Sequence, residues 1–265
     1  MPITSSQKIQ QPLALPQRFP FKPRVLFSDV DDTLTWQGEL PGVAFQALLT
    51  LRDAGISVVP VTGASAGWCD CLLKILPIRY IVGENGAFWM EQHARGYTQL
   101  HLLKPQLQMQ QQQQQLKDIA TQLNQQFPEI HFAQDQAYRI SDVALDIAQA
   151  AQVDITRAKA ATGWLKSQNV QAQLSSIHIN LWMGQHNKAS GALAWLKAKN
   201  IKLDEALFIG DSGNDEAMFQ QFKPSVGVAN VQPFIADLSH APTYITEKSG
   251  GWGFAQLASS LLEHH

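Results

Sequence analysis

The stretch from Val25 to Asp31 restricts the fold of this chain more than any other. The short apolar run Val25-Leu26-Phe27 ends at Ser28 and is followed by two carboxylates, Asp29 and Asp31. Such a run predicts a strand that is buried on both faces, as the strands of parallel sheets are. Side chains alternate along a strand, so both carboxylates are expected on one side of its carboxyl end, where open α/β sheets bind ligands. Two neighbouring acids there favour a bound cation, whereas a helix-capping Asp/Thr cluster, the alternative, accounts for only one of them.

Strand-like and helix-like segments alternate through both ends of the chain. Apolar residues at helical spacing predict the helices, and β-branched runs that end at Gly or at polar residues predict the strands. This alternation is typical of a parallel sheet with right-handed crossovers, so the expected fold class is α/β with a doubly wound, mostly parallel sheet. The predicted helices are 43–54, one ending at residue 75, 187–199, 215–222 and one from residue 254, and the predicted strands are 56–61, 79–82, 206–211, 225–228 and 243–246.

The middle of the chain has a different pattern. Paired strand-like segments with two helices among them predict a small α+β unit in which helices cover one face of a sheet. The predicted strands lie near 88–90, 97–103, 131–133, 138–147 and 171–183, and the helices near 106–126 and 154–167. We expect a loose N-terminal arm (1–23), a core in two segments (24–86 and 186–262) and an insert between them (87–185).

Composition excludes several classes of protein. The net charge of −2 provides no basic field, which argues against a nucleic-acid partner. No apolar stretch approaches the ~18 residues of a membrane span, and residues 1–23 lack the features of a signal peptide, so a cytoplasmic location is expected. The two cysteines, Cys69 and Cys71, provide neither a disulfide framework nor a four-thiolate zinc site, and free thiols are expected.

The low-complexity run Gln110–Gln115 falls inside the predicted helix 106–126. Glutamine is a fair helix former, and apolar residues in the same segment can provide a buried stripe. A solvated helix face is one interpretation of the run, and a partner-binding role is the other. The sequence leaves the oligomeric state open.

Four separate segments place polar groups directly after a strand or at the start of a helix. In a doubly wound sheet, the groups that follow strands are expected to converge on one edge. Together they provide a carboxylate nucleophile, further acids, a hydroxyl and an ammonium, a set that suits phosphoryl transfer. The segments are Asp29 with Asp31, Thr62-Gly63, Lys188, and Asp211 with Asn214 and Asp215.

These segments resemble, in order and spacing, the four motifs of the haloacid dehalogenase superfamily. Asp29-Val30-Asp31-Asp32-Thr33 resembles the D-x-D-x-T signature, and Thr62-Gly63, Lys188 and Gly210–Asp215 resemble the second, third and fourth motifs. The turn Gly83-Glu84-Asn85-Gly86-Ala87 is similar to that of the subgroup with an α/β cap inserted between motifs two and three, which includes sucrose-phosphate phosphatase-like and Cof-like proteins. The stretch from Val226 to Asn230, followed by Gly250-Gly251-Trp252-Gly253, also resembles that subgroup. The likeness spans about residues 25–257.

The resemblance implies a role for each acid. Asp29 would attack phosphorus and form an aspartyl-phosphate. Asp31 would protonate the leaving oxygen and then accept a proton from water. The Asp29 carboxylate, the Asp31 backbone carbonyl and Asp211 would hold Mg²⁺, with Asn214 and Asp215 as possible supports of the metal's water shell.

The resemblance also implies that Thr62, Gly63 and Lys188 bind the phosphoryl oxygens. Two of these positions have an ordinary structural alternative. Thr62 could be a helix N-cap, and Lys188 could be a solvated helix residue. The shared order of the motifs, rather than any single residue, favours the functional interpretation.

The insert would act as the cap that excludes water and contacts the leaving group. The cap residues considered for this contact have an equally simple interpretation as ordinary sheet residues; they are His178, Asn180 and Trp182 on one predicted strand and Arg139, Asp142 and Asp146 on another. The expected function is a magnesium-dependent phosphomonoester hydrolase for a small phosphorylated metabolite, with a sugar phosphate favoured. The alternatives are a phosphotransferase or sugar phosphomutase on the same scaffold, and a non-catalytic sugar-phosphate sensor.

Overall fold

The structure, a computed structural model, describes residues 11–175 and 177–263. The chain divides into two compact units. The first unit contains Met1–Val58 and Lys202–His265, and the second contains Val59–Ile201. Among the described residues, no helix is both long and apolar enough to cross a membrane.

The described residues form short strands and seven α-helices, which are numbered in chain order. The strands are β1 (Leu13–Ala14), β2 (Val25–Ser28), β3 (Ser57–Pro60), β4 (Tyr80–Gly83), β5 (Phe88–Gln92), β6 (Thr98–Leu102), β7 (His131–Phe132), β8 (Val143–Asp146), β9 (Gln171–Leu174), β10 (His178–Trp182), β11 (Ala206–Gly210), β12 (Ser225–Gly227) and β13 (Tyr244–Ile245). The helices are α1 (Gly42–Asp53), α2 (Ala66–Ile75), α3 (Gln106–Gln126), α4 (Ile155–Ser167), α5 (Lys188–Lys199), α6 (Glu216–Gln221) and α7 (Gly250–Leu262).

The first unit is built on a parallel sheet. The strand order is β1-β13-β12-β11-β2-β3, and the division between the two units falls within β3. Strand β2 pairs with β11 in parallel, with Phe27 opposite Phe208. Both rings are fully buried and pack against Phe222, as the continuous apolar runs of these strands predict. The predicted α/β fold with a mostly parallel sheet is confirmed.

The N-terminal segment departs from the expected loose arm. Strand β1 pairs in parallel with β13, and the side chain of Phe19 is buried against the ring of Tyr244 at 5.6 Å between centroids. The Phe19 backbone N–H donates to the carbonyl oxygen of Ser260 at 3.0 Å. The prediction of a loose arm is therefore wrong for the part that includes β1 and Phe19, because this short stretch adds an edge strand and a buried ring. The remaining part of the arm, residues 1–10, lies outside the described residues.

The second unit contains two antiparallel sheets. One has the order β4-β5-β6 and the other β7-β8-β10-β9. Helices α3 and α4 pack on one face of the four-stranded sheet, through a core that includes Leu116, Leu165 and Ile179. This agrees with the predicted α+β pattern. The cap bounds 87–185 lie inside this unit and stay a prediction.

Two predicted strands of the insert were too long. Strand β8 begins at Val143, because the backbone N–H groups of Ile140, Ser141 and Asp142 donate to the carboxylate of Glu84 instead of to a neighbouring strand. The segment 171–183 is a hairpin of two strands, β9 and β10, rather than one strand.

The glutamine run lies within α3, as predicted, and most of its side chains face solvent. Gln113 is an exception. Its Nε2 donates to the carbonyl oxygens of Arg139 and Asp142, at 2.8 and 3.1 Å. This glutamine therefore fixes the loop that precedes β8, and the solvated-face interpretation holds only for its exposed neighbours.

Candidate active site

The candidate site of the first unit lies at the carboxyl ends of β2 and β11. Asp29 and Asp211 each come one residue after their strand, and the Asp29 N–H donates to the carbonyl oxygen of Ile209 at 3.0 Å. Because the two strands are parallel neighbours, both acids reach the same edge of the sheet. Their exposed fractions are only 4% and 6%. The expected convergence is therefore observed for these two acids.

Three carboxylates form a buried cluster at this edge. Asp29, Asp211 and Asp215 each provide one oxygen, and these oxygens lie within 4.8 Å of one another. Three buried like charges this close repel one another strongly unless a cation or protons compensate them. Carboxylate oxygens are the donors that Mg²⁺ prefers, so the donor set fits this ion. The Asp31 side chain is half-buried and is not one of the three; its predicted contribution is the backbone carbonyl.

Asp215 also organises the loop after β11. Its Oδ2 accepts the N–H groups of Asp211 and Ser212, at 3.0 and 3.4 Å. The side chain reaches this position because residue 210 is glycine: a Cβ on Gly210 would lie 2.4 Å from Asp215 Oδ2. Asn214 takes part through its Oδ1, which accepts the Ser212 hydroxyl at 2.9 Å. A carboxylate can accept N–H groups and still interact with a cation, so these hydrogen bonds are compatible with the predicted role of Asp215 as a support of the metal's water shell, which stays a prediction.

Two residues that the sequence did not assign to the site hold Asp211 in place. The hydroxyl of Thr33 donates to Asp211 Oδ1 at 3.2 Å. Asn230 Nδ2 donates to Asp211 Oδ2 at 3.4 Å and to the Asp32 carbonyl oxygen at 3.0 Å, while its Oδ1 accepts the Gly250 N–H at 3.0 Å. Both residues lie in stretches that resemble the haloacid dehalogenase superfamily. The local sequence pattern, however, gave no sign that Asn230 would contact the first motif.

The loop after β2 is a compact turn around the carbonyl oxygen of Val30. This oxygen accepts the N–H groups of Leu34 and Thr35 at 3.0 and 2.9 Å, and the Thr35 hydroxyl at 3.1 Å. Asp32 has a left-handed backbone with a φ of 57°, which Asp tolerates, and its Oδ1 accepts the Gln37 N–H at 3.1 Å. The side chain of Asp32 thus stabilises the turn.

In the second unit, Thr62 follows β3 and is fully buried. Its N–H donates to the Val82 carbonyl oxygen at 3.0 Å, and its hydroxyl accepts the Ala64 N–H at 3.0 Å. The N-cap of α2 is Ser65, whose side chain accepts the Trp68 N–H at 3.4 Å. The N-cap alternative for Thr62 is therefore wrong.

The carbonyl oxygen of Gly63 is held by two side chains of the predicted cap. Arg139 Nη1 donates to it at 2.9 Å, and Asn180 Nδ2 donates to it at 3.4 Å. Asp142 joins the two donors, because its carboxylate accepts from Arg139 Nη1 at 3.0 and 3.1 Å and from Asn180 Nδ2 at 3.2 Å. All three side chains are buried. These cap residues therefore fix the backbone of the second motif.

Lys188 is the first residue of α5 and is only 2% exposed, so the solvated-residue alternative is wrong. Burial and a helix N-terminus both disfavour a cation, so an ammonium at this position requires an anionic partner. Asn187 caps the helix together with Ser190. The turn that contains Gly86 packs tightly against the start of α5, since a Cβ on Gly86 would lie 2.2 Å from the Asn187 carbonyl oxygen.

The turn after β4 contains a buried acid. Glu84 Oε1 accepts the N–H groups of Ala66 and Ile140, at 3.1 and 3.0 Å, and Oε2 accepts the N–H and the hydroxyl of Ser141. Burial, followed by repulsion from the Asp142 carboxylate, raises the pKa of Glu84 to about 7. Glu84 therefore links the start of α2 to the loop before β8.

The other cap candidates make local contacts. His178 Nε2 lies 2.9 Å from Gln149 Oε1, and burial, with the Arg139 charge second, lowers the pKa of His178 to about 4. Asp146 accepts the backbone N–H groups of residues 148–151. Trp182 Nε1 donates to a backbone carbonyl oxygen at 2.9 Å. These contacts agree with the interpretation as ordinary sheet residues.

Comparison with known proteins identifies the family. A profile described as haloacid dehalogenase-like hydrolase matches residues 97–250, more than half of the chain. The chain belongs to this family. The matched region includes Lys188 and the acids from Asp211 to Asp215, and thus two of the four motifs of the haloacid dehalogenase-like hydrolases.

Two proteins of similar sequence and one solved structure are similar to this hydrolase. Phosphoglycolate phosphatase of Methanoculleus marisnigri is 26% identical over 243 residues, which cover 88% of this chain and 94% of the relative. Phosphoglycolate phosphatase 1 of Saccharolobus solfataricus is 27% identical over 100 residues, 38% of this chain and less than half (42%) of that protein. The solved sucrose-phosphatase of Synechocystis sp. PCC6803 is 20% identical with a TM-score of 0.64, covering 91% of this chain and 98% of that chain, and shows a shared fold.

The predicted family and fold are confirmed for this haloacid dehalogenase-like hydrolase. Its two curated relatives are phosphatases, so the predicted enzyme class is confirmed at the level of the family. The carboxylate cluster lies in the first unit, whereas Thr62, Gly63 and Lys188 lie in the second.

Proposed function

We propose that this haloacid dehalogenase-like hydrolase is a magnesium-dependent phosphomonoester hydrolase that acts on a small phosphorylated metabolite. The observation that carries the proposal is the buried cluster of Asp29, Asp211 and Asp215 at the carboxyl ends of β2 and β11. Such a cluster is costly to fold unless a cation or protons compensate its charges. A cation beside a carboxylate nucleophile is what phosphoryl transfer requires, because the nucleophile and the phosphate are both anionic.

The carboxylates of Asp29 and Asp211 and the backbone carbonyl of Asp31 would hold Mg²⁺, and Asp215 would support the same cluster. The bound ion would supply positive charge that neutralises the phosphoryl oxygens. Thr33 and Asn230 contribute by fixing the two oxygens of Asp211. A ligand that is held from both sides loses less freedom on binding.

The chemistry would proceed in two displacements. One oxygen of Asp29 attacks phosphorus, the bond between phosphorus and the leaving oxygen breaks, and Asp31 gives its proton to that oxygen. Water then attacks phosphorus, the Asp31 carboxylate accepts the water proton, and the bond between phosphorus and Asp29 breaks to release inorganic phosphate. Asp29 suits the first role because it is buried, and Asp31 suits the second because it is half-buried and can exchange protons with water.

Thr62, Gly63 and Lys188 would bind the phosphoryl oxygens. The Thr62 hydroxyl accepts the Ala64 N–H, which orients the hydroxyl so that its own hydrogen can be donated to an anion. Lys188 is buried at the start of α5 and would place its positive charge against the phosphoryl oxygens. The Gly63 backbone is kept in position by Arg139 and Asn180.

The substrate class is the less specific part of the proposal. The proteins described above are named phosphoglycolate phosphatase and sucrose-phosphatase, so phosphoglycolate and sucrose phosphate, both small phosphate monoesters, are the first compounds to test. We favour a sugar phosphate, and the predicted cap (87–185) would contact its leaving group. A screen of phosphorylated metabolites that includes both compounds, read as phosphate release, ranks the candidates.

The test compares two neighbouring variants in the presence of Mg²⁺ with an aryl phosphate. Asp29→Asn removes the nucleophile and should lower kcat by on the order of 10³-fold or more. Asp32→Asn is the matched control, because Asn tolerates the left-handed backbone and its Oδ1 can still accept the Gln37 N–H. The control should keep wild-type activity. Undiminished turnover in Asp29→Asn would overturn the mechanism.

A further inference from the structure

One buried amide group beside the second motif has no hydrogen-bond partner. Asn85 is 5% exposed, and among the described residues none accepts a hydrogen bond from its Nδ2. A buried amide donor without an acceptor costs free energy, and most such donors in folded proteins are paired. The fold therefore keeps a donor at this position for a reason other than its own stability.

The position of Asn85 is fixed by contacts on both sides. Its backbone N–H donates to the Thr62 carbonyl oxygen at 3.0 Å. A Cβ on Gly63 would lie 3.1 Å from Asn85 Nδ2 and 3.2 Å from Oδ1, so the carboxamide lies directly over Gly63. The next residue, Gly86, packs against the Asn187 carbonyl oxygen at the start of α5. The orphan donor is thus anchored to both elements of this unit that are proposed to bind phosphate.

The backbone of the turn is strained in the same place. Glu84 and Asn85 both have left-handed backbones, with φ values of 43° and 54°. Asn tolerates this conformation, whereas Glu rarely adopts it, and two such residues in a row cost free energy. Strained residues of this kind cluster at binding and catalytic sites, where the surrounding structure holds them. The five donors that surround the Glu84 carboxylate provide that support here.

We propose that Asn85 is a further substrate-binding residue, whose Nδ2 donates to a phosphoryl oxygen of the substrate held at Thr62-Gly63. The inference rests on the proposed function, because it requires a phosphate at the second motif. An ionised phosphoryl oxygen accepts hydrogen bonds, so it can take one from the unpaired Nδ2 group of Asn85. The neutral amide adds a directional hydrogen bond to the charge that Lys188 provides.

The test uses inorganic phosphate as the probe, in two variants that keep the turn. Asn85→Gly accepts a left-handed backbone and removes the donor. Asn85→Asp has nearly the same shape but replaces the donor with an anionic acceptor. Asn169→Gly is the matched control, because Asn169 is also left-handed, with a φ of 59°, but is exposed. The measurements are the inhibition constant of phosphate, KM and kcat for an aryl phosphate, and the melting temperature without phosphate.

We expect phosphate to bind about 10-fold more weakly to Asn85→Gly, as for the loss of one hydrogen bond to a charged group, and still more weakly to Asn85→Asp. The melting temperature of Asn85→Gly without phosphate should not fall, since the variant loses an unsatisfied donor. A purely structural role for Asn85 would instead lower the melting temperature and leave phosphate affinity unchanged in the folded fraction.

Wild-type phosphate affinity in both Asn85 variants of an active enzyme would overturn the inference and leave the proposed function intact. A wild-type protein that neither hydrolyses phosphate esters nor binds phosphate would overturn both. The Asn169→Gly control should match the wild type in all measurements.

Discussion

Replacing Gly210 with alanine should disrupt the carboxylate cluster through a single methyl group. The new Cβ would lie 2.4 Å from Asp215 Oδ2 and 2.7 Å from its Cγ, whereas ordinary contacts begin near 3.4 Å. The Asp215 carboxylate must therefore move by about 1 Å. That movement breaks the hydrogen bonds that Oδ2 accepts from the Asp211 and Ser212 N–H groups.

The magnitude follows from two contributions. Overpacking of a buried site costs ~1–3 kcal/mol, and the loss of buried hydrogen bonds to a charged group adds ~1.5–3 kcal/mol. A total of roughly 2.5–6 kcal/mol, at ~2–4 °C per kcal/mol for a chain of this size, lowers the melting temperature by roughly 5–24 °C. Because the carboxylate that moves belongs to the proposed Mg²⁺ site, the stabilisation that Mg²⁺ provides should also shrink.

The assay is thermal unfolding of Gly210→Ala with and without Mg²⁺. Gly213→Ala is the control in the same motif, because a Cβ on Gly213 would meet nothing within 4 Å. The control should unfold at or slightly above the wild-type temperature, since Gly213 lies in a short 3₁₀ helix and alanine favours helix. A Gly210→Ala protein with the wild-type melting temperature and an unchanged Mg²⁺ response would show that the Asp215 carboxylate does not depend on glycine at position 210.

Two further predictions concern buried polar groups. Asn230→Ala removes the donor to Asp211 and to the Asp32 carbonyl oxygen, so Mg²⁺ affinity, measured by titration calorimetry, should fall by about 10-fold; unchanged affinity would contradict the role given to Asn230. Glu84 has its pKa raised from 4.5 to about 7 in the folded protein. Between these two pH values the folded protein still binds the Glu84 proton, whereas the unfolded chain has released it. The free energy of unfolding should therefore fall as the pH rises through this range, by about 3 kcal/mol in total. Denaturant unfolding should show this slope in the wild type and a flatter one in Glu84→Gln, and equal slopes would exclude Glu84 as the cause.

The sequence predicted the parts of the site that follow from strand ends. Asp29 and Asp211 each come directly after an apolar run, and parallel pairing of those runs necessarily brings the two acids to one edge. Lys188 is a different case. A single lysine at the start of a helix is ordinarily solvated, and only the order of the motifs favoured a functional role for this one. The structure shows that Lys188 is buried.

Contacts between distant segments could not be predicted locally. Asn230 reaches Asp32 across 198 positions of the chain, and no periodicity or spacing encodes such a contact. The start of β8 is a second example. The carboxylate of Glu84 accepts the N–H of Ile140, 56 positions later in the chain, and this N–H is therefore not available to extend the strand. The prediction of a loose N-terminal arm followed from a composition rich in Gln and Pro. One large apolar side chain in that stretch, Phe19, is nevertheless buried in the fold.

Trapping the covalent intermediate tests whether Asp29 is the nucleophile. The Asp31→Asn variant should hydrolyse the aspartyl-phosphate slowly, because it lacks the base that activates water. An aryl phosphate with a good leaving group should therefore phosphorylate the protein faster than water hydrolyses the aspartyl-phosphate. Acid quenching, borohydride reduction and peptide mass spectrometry then locate the modified carboxylate. We expect reduction to homoserine at position 29 in the presence of Mg²⁺ and none in the double variant that also carries Asp29→Asn. Modification of any other residue, or turnover with no modification at position 29, would contradict it.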